Sequence, residues 1–183
     1  MEERVIVDKR LSYARQLPSP NCSERPADVA IELLVIHNIS LPPGRFGQGH
    51  IEAFFCNQLE SAADPYFEEI AHLQVSAHLL IDRQGEVTQF VPFDQKAWHA
   101  GQSLFKGRDN CNDFSIGIEL EGTDSQDFTP DQYERLIQVS RALMAQYPLI
   151  TLDSIVGHSD IAPGRKTDPG PHFDWARFRA ACA

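Results

Sequence analysis

A chain of 183 residues, 42% hydrophobic and 23% charged, has the makeup of one globular domain and is long enough to bury a real core. Its formal net charge of −10 argues against a general nucleic-acid or anionic-membrane partner, because phosphate binding is driven by clustered Lys and Arg. No run approaches the roughly 20 apolar residues of a membrane helix.

Six of the first ten residues are charged (Glu2, Glu3, Arg4, Asp8, Lys9, Arg10), which leaves no apolar stretch for a secretory leader; a cytoplasmic location is expected. Cys22, Cys56, Cys111 and Cys182 are scattered without a Cys-x-x-Cys pair, and reduced thiols suit that location. No repeat or linker divides the chain, so residues 1–183 read as a single domain. Residues 1–28, with Pro18, Pro20 and Pro26, read as an extended lead-in wrapped on the body.

The β-branched and aliphatic run Ile31–His37 predicts a buried strand ending at His37. A Pro/Gly loop from Leu41 to Gly49 follows, then a helix over His50–Leu59 with Phe54 and Phe55 as core anchors, and a short helical turn over Pro65–Ala71. Val75–Ile81 and Glu86–Val91 read as a hairpin joined by Asp82-Arg83-Gln84-Gly85. Phe114–Glu121 alternates cleanly: Phe114, Ile116, Ile118 and Leu120 face one side, Ser115, Gly117, Glu119 and Glu121 the other, with Gly117 leaving space for a substrate or metal. Thr129, Pro130 and Gln132 spell a capping box, opening a helix whose stripe runs Tyr133, Leu136, Ile137, Leu143, Met144, Tyr147 until Pro148 ends it. A last helix spans about Asp174–Ala180. Helices mixed with strands, one pair a hairpin, predict an α/β fold with a mixed sheet and helices on its faces.

The chemistry concentrates in the tract from Gly157 to Gly170. His158 ends the strand-like Ile155-Val156, Pro163-Gly164 and Pro169-Gly170 mark turns, and Asp168 is biased to extended backbone by the proline after it. His158 and Asp168 could supply two metal ligands, with Lys166 beside them, and His37 is a good third. Two imidazoles and one carboxylate form the ligand set of a catalytic zinc site with an open position for water, though Co²⁺ or Ni²⁺ could also occupy it. His50, His72, His78, His99 and His172 compete for the same role on residue type alone.

Four blocks narrow the choice: Val35–Gly44, Ala97-Trp98-His99-Ala100-Gly101, Asn112–Gly122 and His158–Trp175. In this order and spacing the chain closely resembles the zinc N-acetylmuramoyl-L-alanine amidases related to phage T7 lysozyme and animal peptidoglycan-recognition proteins. Within them it is most similar to the branch that cleaves 1,6-anhydro-N-acetylmuramyl peptides in cell-wall recycling. The likeness runs from about Pro18 to the C-terminus. It implies a central mixed sheet of about five or six strands, zinc at His37, His158 and Asp168, Glu119 and Lys166 as catalytic partners, and a small anhydromuramyl-peptide substrate. It implies no protein partner. Gln74 and Asn110 stand where relatives often carry arginine near the stem peptide, which leaves Arg108 as the substitute; Ser159 stands where Cys is common.

An amide resists hydrolysis because water is a poor nucleophile and the amine a poor leaving group. Glu119, deeper in its strand than Glu121, is the expected proton carrier, and Lys166 the expected partner of the developing oxyanion. Trp98 and His99, in a Gly-bounded loop, are candidates to contact a sugar or peptide. Asn38 is placed either to bond substrate or to brace the site.

Overall fold

The computed structural model describes residues 5–183. Its centre is a six-stranded mixed sheet of β1 (Arg15–Gln16), β2 (Leu33–Ile39), β3 (Leu79–Ile81), β4 (Val87–Gln89), β5 (Ser115–Glu121) and β6 (Ile155–Gly157), in the order β6-β2-β5-β3-β4-β1. Every neighbouring pair is parallel except the β3–β4 hairpin. Helices α1 (His50–Phe55), α2 (Pro65–Ile70), α3 (Pro130–Gln146), α4 (His158–Ile161) and α5 (Trp175–Cys182) complete the α/β fold that the pattern predicts.

The alternation of β2 divides the interior. Leu34 and Ile36 join Ile116, Ile118, Leu120 and the buried stripe of α3 (Tyr133, Leu136, Val139, Leu143) in the largest apolar cluster. Leu33 and Val35 face the other way, with Ala100, Phe114, Val156 and Ile161. Phe114 therefore leaves the stripe assigned to it: it lies just outside β5, after the 3₁₀ turn Cys111–Asp113, and packs on the opposite side from Ile116. A third cluster seats Phe54, Phe55 and Phe67 of α1 and α2 against Leu80, Phe90 and Val91.

Several boundaries shift for local reasons. β2 continues past His37 to Ile39, so His37 is an interior strand residue. α1 stops at Phe55, and Asn57 adopts a φ of 58° that no helix continues. Residues 75–78 lie outside the ladder, their amides going elsewhere: Ser76 N donates to Trp98 O at 3.1 Å and His78 N to Gly117 O at 3.0 Å. His158 does not end a strand; it opens α4, after Gly157. The lead-in is more than a wrap: Arg15–Gln16 is the edge strand beside β4, and Cys22–Glu24 pairs with Gln95–Ala97. Leu11 is buried in the core. All four cysteines are free thiols.

Candidate metal centre and groove

β2, β5 and β6 are adjacent and parallel, so their carboxyl ends open on one side of the sheet, where ligands of open α/β sheets bind. Register does the assembly. Glu119 pairs directly with His37, and Gly157 pairs with Ile36, which sets His158 beside His37. α4 and the loop after it return the chain so that Ser159 N donates to Asp168 O at 3.0 Å, bringing Asp168 over the same strand ends.

The three ligand candidates converge. His37 Nδ1 lies 3.0 Å from His158 Nδ1 and 3.0 Å from Asp168 Oδ2, and His158 Nδ1 lies 3.1 Å from Asp168 Oδ2. His37 and His158 are buried, and the three residues form a group able to hold a metal ion. Burial holds the His37 imidazole down at about 4, against the pull of Asp168. Burial would raise the Asp168 carboxyl, but the His158 and His37 imidazoles packed against its Oδ2 outweigh it and keep the group below the usual carboxylate range. Neutral imidazole facing an ionised carboxylate is the protonation state a metal ligand set requires.

Glu119 is buried beside them, and its Oε2 has no hydrogen-bond partner in the protein. Burial first and the Asp168 charge second push its pKa well above the ordinary carboxylate value, with Lys166 opposing. Lys166 is exposed; its backbone N donates to Ala162 O at 3.0 Å in the turn before Asp168. His37, Glu119, His158, Lys166 and Asp168 share one groove of about 690 Å³ with Asn38, and Phe54, Tyr66, Ile70 and Leu73 line its apolar side. Asn38 braces the site: its amide donates to Asp124 Oδ1 at 2.7 Å and to Pro169 O at 3.0 Å, tying the Asp168 turn to β2.

Trp98, His99 and Arg108 do not line this groove. The Trp98 indole donates to Ser23 at 3.1 Å, pinning the lead-in. His99 lies behind His37, its Nδ1 2.9 Å from His37 Nε2. Its ring fills the space above Gly117, where a Cβ would come within 2.5 Å, so that glycine makes room for His99 and not for substrate or metal. Arg108 pairs with Glu32 and lies over the Phe114 ring at 4.0 Å, lining a different pocket. Asn110 holds a left-handed turn at φ 57°, a conformation Asn adopts more readily than Arg. Sequence reasoning missed Ser115, Asn112, Asp124 and Arg165, whose contacts into the site come through distant segments; the only local hint was that Asn112, Ser115 and Arg165 fall inside two of the four blocks.

Two imidazoles and a carboxylate at the ends of parallel strands, with a buried acid beside them in an open groove, define a candidate metal centre with a proton carrier at hand. Comparison with known proteins makes that reading specific. The family model described as N-acetylmuramoyl-L-alanine amidase matches residues 27–171. The 1,6-anhydro-N-acetylmuramyl-L-alanine amidase AmpD of Escherichia coli K12 is 60% identical over 166 residues, 91% of this chain and 90% of that one. The crystal structure of a selenomethionine derivative of AmpD superposes with a TM-score of 0.95 at 56% identity, covering 97% of this chain and 99% of the other. The E. coli amidase AmiD, in complex with anhydro-N-acetylmuramic acid-L-Ala-D-γ-Glu-L-Lys, matches at TM-score 0.62 and 32% identity, over 87% of this chain and 60% of that one. The chain belongs to the N-acetylmuramoyl-L-alanine amidase family and is an amidase hydrolase.

Proposed function

We propose that the chain uses zinc to hydrolyse the amide bond between 1,6-anhydro-N-acetylmuramic acid and L-alanine of muropeptides, on wall fragments being recycled in the cytoplasm. His37, His158 and Asp168 would hold the ion, and their mixed nitrogen and oxygen donors suit zinc. When bound, zinc supplies a lowered pKa to water, roughly 7, and polarises a carbonyl. The chain's own residues do the rest. Glu119 takes the attacking water's proton and returns it to the departing alanine nitrogen; burial and the Asp168 charge raise its pKa, which strengthens it as a proton acceptor. The Lys166 ammonium faces the oxygen on which negative charge develops, an arrangement worth about 3 kcal/mol in favourable cases. Asn38 holds the Asp168 turn, and the apolar side formed by α1 and α2 receives the sugar or stem.

The substrate assignment leans on likeness to AmpD and on the anhydromuramyl tripeptide held by AmiD. Free thiols at all four cysteines favour a reducing compartment. The single observation that carries the reading is the partnerless Glu119 oxygen beside three convergent ligands in an amidase-family chain.

Mass spectrometry of products from the anhydromuramyl tripeptide tests it. Free anhydromuramic sugar plus intact tripeptide is expected, lost on exhaustive chelation and restored by zinc; Asp168→Ala loses both metal and turnover. A shortened stem means a peptidase, and no turnover by zinc-loaded protein means a muropeptide-binding protein. Undiminished turnover after chelation removes the metal from the mechanism.

A further inference from the structure

Behind the ligand cluster, away from the groove, the segment Trp98–Gly101 meets both ligand imidazoles from the rear. His158 Nε2 lies 3.1 Å from Ala100 O. His37 Nε2 lies 2.9 Å from His99 Nδ1, and His99 Nε2 in turn lies 3.0 Å from Ser115 Oγ. The segment is itself fixed: Asn112 Oδ1 accepts from His99 N at 3.1 Å and Ala100 N at 2.8 Å, and Arg165 donates to Ala100 O at 2.7 Å.

A neutral imidazole carries one proton on one of two nitrogens. For Nδ1 to offer its lone pair to the cluster, the proton must sit on Nε2. Ala100 settles this for His158, since a carbonyl only accepts. The partner of His37 is another imidazole, which can give or take, so the His37 tautomer is decided by whichever nitrogen of His99 is bare. Packing locks that ring in place, because Gly117 lies directly against it and leaves no room for a Cβ beneath.

We propose that His99 is a positioning residue: its Nδ1 accepts the His37 Nε2 proton, its own Nε2 donates to Ser115, and His37 is thereby held in the ligating tautomer and orientation. This rests on His37 being a zinc ligand. Groups of this kind typically change metal affinity 10–100-fold when removed.

The test compares His99→Phe, which fills the ring volume without an acceptor, with His99→Asn, whose amide oxygen takes the place of Nδ1. Zinc affinity is read by competition with a fluorescent chelator, folding by thermal melts, and tautomers by long-range ¹⁵N–¹H spectra of the zinc-loaded protein. Wild type should show His37 and His99 both protonated at Nε2. His99→Phe should bind zinc about 10–100-fold more weakly, and His99→Asn should recover most of the loss. If the Phe variant does not fold, Ser115→Ala should shift His99 toward a mixture of tautomers and weaken zinc in the same direction. A folded His99→Phe variant with wild-type zinc affinity, or a wild-type His99 protonated at Nδ1, overturns the assignment. A wild-type chain that takes up no zinc instead sinks the cofactor reading itself, a result distinct from a variant that matches zinc-loaded wild type.

Discussion

Glu119 and Glu121 are two residues apart on one strand face, yet their surroundings give them different work. The Glu121 carboxylate accepts from Gly47 N at 2.6 Å and Arg83 N at 3.4 Å, which ties down the loop after β2. Glu119 Oε2 accepts from nothing in the protein. A buried acid left without partners costs stability, and a fold that tolerates one is holding it for another use. The sign of that cost is testable. The folded pKa of Glu119 is raised, so the fold binds its proton more tightly than the unfolded chain does, and stability falls as pH rises from the ordinary value of 4.5 toward the raised one. Glu119→Gln removes that loss. At neutral pH the variant should melt at or above the wild-type temperature and keep its zinc, while turnover falls by about 10²–10⁴-fold. A near-normal rate would move the proton carrier elsewhere, and a large fall in melting temperature would contradict the charge argument.

Among elements, those whose signals are local were legible from the residues alone. α3 shows this best: Thr129 Oγ1 accepts from Gln132 N at 3.1 Å, Thr129 N donates back to Gln132 Oε1 at 3.1 Å, and Pro130 opens the helix. The same cap reaches the sheet, since Thr129 Oγ1 donates to Arg83 O and the Gln132 amide to Glu121 O. Thr129→Ala should therefore cost about 1–2 kcal/mol, read as a fall of roughly 2–8 °C in melting temperature, with amidase turnover per folded molecule unchanged. Loss below measurement would mean that the sheet contacts, not the cap, hold this end. Elements whose partners are distant were hidden. A two-residue edge strand such as β1 has no periodicity to detect, and residues 75–78 read as strand because their pattern says nothing of where their amides bond. The site divides the same way. Turn signals made the Asp168 tract conspicuous, but choosing His37 and His158 among seven histidines needed the family likeness. The role of His99 depends on a contact across 62 residues that neither spacing nor likeness conveys.

At the scale of the molecule, the fold buries imidazoles in their neutral form, and that sets its acid stability. Burial holds His78 at about 3, with Arg25 adding to the shift, and holds His37 at about 4. Burial, then the neighbouring His37, puts His99 well below its ordinary value. His78 is committed to neutrality by its bonds: Nδ1 accepts from Gly117 N at 3.0 Å, and Nε2 lies 3.0 Å from Gln95 O. The unfolded chain protonates these rings near 6.5. Each folded pKa is depressed, so the unfolded state binds more protons, and the contribution is complete above 6.5 and lost as pH falls toward 3–4. The slope is about 1.4 kcal/mol per pH unit per histidine, so His78 and His37 together lose on the order of 5 kcal/mol by pH 4.5, with His99 adding in the same direction. Glu119 works in the opposite direction but is one group against three. Domains of this kind carry about 5–15 kcal/mol in all, so the loss is large enough to bring acid unfolding near pH 4–5. Urea denaturation of chelated protein between pH 7.5 and 4.5 checks this. The free energy should be level above pH 7 and fall by more than 1.4 kcal/mol per unit below 6.5, the threshold for a single histidine. Added zinc, by competing with the proton at His37, should flatten the upper part of that fall and leave the share due to His78 in place. A profile that stays level down to pH 5 without metal would mean that the buried rings are already charged in the fold, and the neutral ligand set would be lost with them.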